Sequence, residues 1–173
     1  MSAVLQRILR RVATRPSVLA LSAAYVALSL ALAWQGAEPR RLLLPVPHYY
    51  LFQAVILFPL FVGLVALFVG VTRGLSGEPS RAAAPEAWVD ALAPAYAWPL
   101  LVAFVLPDLA VTLLLGHEHL AAAMRYYAPV APLLVLAASV RAVRRLGAPW
   151  LRAILAPLVG LVAQALAGSF ILR

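Results

Sequence analysis

Asp108 is the one acid inside any of the long apolar runs of this chain. A charged side chain in hydrocarbon costs about 2.5 to 3.5 kcal/mol on insertion scales, so this carboxylate must face protein or water. It lies eight residues before Gly116, about 12 Å along an ideal helix. Two chemistries suit it: proton or cation coupling, including the holding of a cationic ligand, or capping of a helix restarted after Pro107. Gln164 is the single amide of the last apolar run, suited to a substrate contact or to hydrogen bonding between helices. His117, Glu118 and His119 are metal-ligand types, but a metal site normally needs three or four ligands and no fourth is near in sequence. The motif is weak, and ordinary solvated loop residues are the favoured reading. No serine is marked out as a nucleophile, and the absence of cysteine removes thiolate chemistry. No residue is therefore assigned a catalytic, cofactor-binding or metal-binding role.

The elements that must position these residues are set by composition. Of 173 residues, 65% are hydrophobic and only 12% charged, against about 25% charged in soluble domains. The mean hydropathy is +0.95, which reads as an integral membrane protein. The net charge of +8 comes from arginines placed between apolar segments, where they fix orientation rather than bind nucleic acid. The basic start leads into an apolar run with no cleavage site, so the first helix is expected to be an anchor rather than a signal peptide.

Five spans are expected, at about 17–34, 51–72, 91–116, 126–143 and 150–172. Together they form an all-α polytopic bundle over residues 16–173. The third span holds Pro94, Pro99 and Pro107 and is expected to be kinked or discontinuous, exposing carbonyls that protein or water must satisfy. The fourth opens at Tyr126 and Tyr127 and is marginally short. His48, Tyr49 and Tyr50 mark a membrane interface. Ser22, Tyr25 and Ser29 share one helical face that should meet another helix.

Small residues suggest two packing seams. Gly63 and Gly70 give the second span a smooth stripe, and Ala156, Gly160 and Gly168 recur with Gln164 every four residues along the last. Residues 1–15 form a separate basic segment, with Val4, Leu5, Ile8, Leu9 and Val12 on one side of a helix and Arg7, Arg10 and Arg11 on the other. Such a helix can lie on an anionic inner leaflet with its arginines at the headgroups, or serve only as a basic flank that sets orientation.

With five spans and the N-terminus inside, ten of the fourteen basic residues fall on the inner side. If the proline-rich segment does not cross, that count falls to eight and the most basic loop lies outside. The positive-inside rule thus favours five spans with the C-terminus outside.

HYYLFQAVILFPLFVGLVALFVG at 48–70, AYAWPLLV at 95–102 and the connector RAVRRLGAPWLRA at 141–153 resemble the Yip family of small multispanning membrane proteins, in its compact bacterial form. The resemblance runs from about Ser17 to the end. It implies a five-helix bundle with an inner N-terminus, placed in a bacterial inner membrane, and a non-enzymatic role. Eukaryotic relatives carry a longer polar N-terminal region, whereas about fifteen residues precede the first span here, so Rab-type binding is not among the expectations. The expected function is binding of lipid or a membrane-protein partner, homo-oligomerisation included. The alternatives are a transport component with a midplane site around Asp108, and an outward-facing metal-dependent hydrolase using His117 and His119.

Overall fold

The computed structural model describes residues 3–37, 49–77 and 82–171, and among them every regular element is helical. In chain order these are α1 (Ala3–Ala13), α2 (Pro16–Trp34), α3 (Tyr49–Leu75), α4 (Pro85–Leu100), a π-helical turn (Leu101–Val105), α5 (Leu106–Leu115), a 3-10 turn (His117–His119), α6 (Leu120–Tyr127), α7 (Val130–Arg145) and α8 (Trp150–Ile171). Four helical runs are long and apolar enough to cross a membrane: Pro16–Trp34, Tyr49–Leu75, Pro85–Leu115 and Trp150–Gly168. The pair His117–Tyr127 and Val130–Arg145, bent by 48°, makes a fifth if counted as one span. His48 and the charged loop residues Glu38, Arg40 and Arg41 lie outside the described residues.

Prolines shape two of these elements in different ways. Of the kink or discontinuity expected in the third apolar run, the discontinuity does not occur: Pro85–Leu115 is one helical run. The Leu106 N–H donates to the carbonyl of Leu101, five residues back. This wider turn shifts the register just before Pro107, whose missing N–H and bulky ring would otherwise disrupt an α-helical turn. The fourth run does divide. Ala128 and Pro129 form a turn between α6 and α7, where Pro129 cannot donate the next helical bond.

Two helices end in the same way for the same reason. Gly36 (φ 67°) and Gly147 (φ 89°) take the left-handed conformation that glycine adopts without a Cβ penalty. After α2, Gly36 and Ala37 donate to the carbonyls of Ala33 and Leu32; after α7, Gly147 and Ala148 donate to Arg144 and Val143. These are Schellman closures, which satisfy carbonyls left over at the helix ends.

The helices close a ring in which α2 packs on α3, α3 on α8, α8 on α7, α7 on α4, and α4 back on α2. Trp88, Leu92 and Tyr96 of α4 and Phe68 of α3 fill its centre, all buried. Large apolar side chains also cover the outside, Val55, Leu114 and Leu133 among them, as expected of a surface whose solvent is hydrocarbon.

Helix α1 sits against one end of this ring, on α4 and α3. Ile8 and Val12 are buried in the common core. The apolar stripe that suggested a lipid-surface helix is thus largely spent on protein, because α4 begins beside it.

Candidate functional site

The π-helical turn and α5 carry Asp108 to the interior, where it is 3% exposed. It does not cap a restarted helix, since the helix never stops and no side-chain cap bond forms at the start of α5. Its carboxylate instead accepts a hydrogen bond from the Tyr127 hydroxyl at the end of α6. Phe104, from the π-helical turn, meets the Tyr127 ring edge-on at 6.4 Å between centroids. The pair therefore ties the third apolar run to the helix that follows it. Among the described residues Asp108 has no cationic partner.

A second tie lies nearby. The Gln35 side chain, just past α2, donates to the Thr112 carbonyl at 2.6 Å and accepts from the His117 N–H at 2.8 Å. One amide thus serves backbone groups left over where α5 ends. His117 and His119 each place Nδ1 3.6 Å from a Glu118 carboxylate oxygen. Among the described residues no three His, Cys, Asp or Glu side chains gather as a metal-binding set.

Gln164 marks a different place. Its amide donates to the Tyr96 hydroxyl, and both residues line a cavity of about 480 Å³ between α2, α3, α4 and α8, along with Tyr25 and Gln53. Ser29 donates to Gln53 at 3.2 Å. Tyr25 stacks against Phe61 at 4.6 Å and Phe68 against Tyr96 at 5.4 Å between ring centroids. Leucines, Phe61, Ala165 and Gly168 complete the wall. The lining has hydrogen-bonding groups but no carboxylate, histidine, arginine or lysine. Such a space suits an uncharged or amphipathic guest better than an ion. Asp108 does not line it.

The two expected glycine seams part company. A Cβ at Gly160 would come within 2.6 Å of Thr72 Oγ1 and 3.0 Å of Phe68 Cδ2, so glycine is what lets α8 lie close on α3 there. Ala156 is buried in line with it. Gly168, by contrast, would meet nothing within 4 Å, because it faces the cavity. Gly63 and Gly70 are exposed and also meet nothing. They are not a seam within this chain, since α2 and α8 use the other faces of α3.

Of the arginines expected at headgroups, Arg11 makes a two-pronged pair with Asp90, with both bonds at 3.0 Å, and Arg7 lies 3.9 Å from Glu86. Arg15 pairs with Asp90 as well. These partly exposed pairs are each worth about 0 to 1 kcal/mol. Burying Ile8 and Val12 contributes about 1.5 to 3 kcal/mol apiece, so apolar contact holds α1 and the acids set its register. Arg10 has no carboxylate partner among the described residues.

Sequence reasoning singled out Asp108 and Gln164 but not their partners Tyr127 and Tyr96, nor the nearby amides Gln53 and Gln35. Gln53 carried a usable signal, being the lone amide of its apolar run. Tyr96 and Tyr127 read as ordinary span and interface aromatics. No family model, curated protein or solved structure matches the chain.

Proposed function

We propose that this is a non-enzymatic integral membrane protein of Yip-like type that binds lipid within its helical bundle. It crosses a bacterial inner membrane five times, the bent α6–α7 pair counting as one crossing. The N-terminus is cytoplasmic and the C-terminus outside. The arginine distribution supports this orientation, and the three Yip-like stretches support the family resemblance.

The observation that carries the lipid reading is the cavity bounded by Tyr25, Gln53, Tyr96 and Gln164. Its apolar walls suit hydrocarbon, and its neutral donors and acceptors suit an ester or hydroxyl. Gly168→Phe should fill it. The test is to purify wild type and this variant in nanodiscs and identify retained lipids by mass spectrometry. The variant should lose a lipid that the wild type keeps, and equal retention would refute the reading.

A transport role is the second reading, favoured by the buried Asp108 carboxylate and its hydroxyl partner. In that case Asp108→Asn abolishes coupled uptake while leaving expression intact. In the lipid-binding reading it leaves lipid retention unchanged.

A further inference from the structure

The α1 arginines are largely satisfied by Glu86 and Asp90, but the same end of the bundle carries a second basic group that is not. Arg141, Arg144 and Arg145 close α7, and among the described residues none of them forms an ion pair. They border a groove of about 550 Å³ between α7 and α8, whose other walls include Leu133, Val140, Trp150 and Ile154. We propose that this groove binds an anionic phospholipid, with the phosphate held by Arg141 and Arg145 and an acyl chain lying along α7.

Spacing and depth support that occupant. Arg141 and Arg145 stand four residues apart, on one face of the helix, so two guanidinium groups can reach one phosphate. Leu133 lies eight residues earlier, about 12 Å deeper along the helix, where an acyl chain follows from a headgroup at the arginines. Trp150 has the amphipathic ring found at headgroup level.

Arg144 has a different task. It donates to the Ala148 carbonyl at 2.7 Å and lies 4.7 Å over the Trp150 ring, which fixes the α7–α8 turn as one wall of the groove. Asp90 borders the adjoining groove on the far side of Arg141 and Arg145, but it is engaged by Arg11 and Arg15. The described acids near this end, Glu86 and Asp90, thus pair with Arg7, Arg11 and Arg15 and leave the α7 arginines to the membrane. Basic pockets between helices at a membrane face are a recurrent anionic-lipid environment.

This site shares the lipid-binding theme proposed above but not its cavity, and the test separates them. The full chain is placed in nanodiscs of phosphatidylcholine with phosphatidylglycerol at equal mole fraction, and retained lipids are counted by native mass spectrometry. Both leaflets have the same composition, so the outcome does not depend on orientation. Wild type should favour phosphatidylglycerol by roughly tenfold or more, the worth of two basic side chains beside an anionic headgroup. Arg141→Gln with Arg145→Gln should erase the preference, Arg141→Lys with Arg145→Lys should keep most of it, and Gly168→Phe should leave it intact. A glutamine pair that keeps the wild-type preference overturns the proposal, as does loss of the preference in Gly168→Phe alone. If the glutamine pair does not assemble, wild type in about 1 M salt decides, because screening then acts within about 3 Å. A preference that survives this salt overturns the phosphate contact, and one that collapses supports it.

Discussion

Replacing Gly160 with alanine should loosen the bundle where α8 crosses α3. The added Cβ would stand 2.6 Å from Thr72 Oγ1 and 3.0 Å from Phe68 Cδ2. Both neighbours are 0% exposed, so neither has free space to move into. Overpacking of this kind costs about 1 to 3 kcal/mol, while exchanging glycine for alanine inside a helix returns about 0.5 to 1 kcal/mol. The net expectation is a loss of about 0 to 2.5 kcal/mol. Gly168→Ala is the matched control, since its Cβ meets nothing within 4 Å and only the helix gain remains. The difference between the two variants isolates the close approach of α3 and α8. Reversible unfolding in mixed micelles, followed by helical circular dichroism, measures it. If the two variants agree within about 0.5 kcal/mol, α8 does not rest on α3 at Gly160 and the seam is wrong.

Three further outcomes follow from the contacts. Tyr127→Phe strands the Asp108 carboxyl without its hydroxyl donor and should cost about 1 to 3 kcal/mol; an Asp108→Asn, Tyr127→Phe double-mutant cycle in the same unfolding assay should show coupling between the two sites. Gln35→Leu removes the bonds to Thr112 and His117 and should speed amide hydrogen exchange at His117, whereas unchanged exchange there would mean the amide is not the tie. Asp90→Asn should leave α1 docked, because Ile8 and Val12 hold it, yet weaken its register by about 1 kcal/mol; spin-label distances from α1 to α4 should broaden without lengthening.

How much of this was legible beforehand differs by element. The starts and ends of α2, α3 and α8 follow from composition, because a run of about twenty apolar residues flanked by arginine, tyrosine or tryptophan has few alternatives to a helix. The Gly160 seam was visible as a small-residue repeat. The fate of the prolines was not: Pro107 is absorbed by a π-helical turn while Pro129 divides α6 from α7, and the choice depends on what each segment packs against. The partners of Asp108 and Gln164 were hidden because Tyr127 and Tyr96 lie 19 and 68 residues away. Nothing local distinguishes a tyrosine that donates to a buried group from one at an interface.

The sequence by itself determined that the chain is helical, apolar over long runs, and basic at defined intervals, since these depend on hydropathy and charge summed along the chain. It did not determine which face of each helix turns inward, because a hydrocarbon-facing and a protein-facing leucine are chemically alike. Only the tertiary structure decided that Gly63 and Gly70 look outward while Gly160 looks inward. It likewise paired Arg7 and Arg11 of α1 with Glu86 and Asp90, leaving the α7 arginines without an ion pair among the described residues. Such pairing is a property of positions brought together across the fold, and no spacing along one helix contains it.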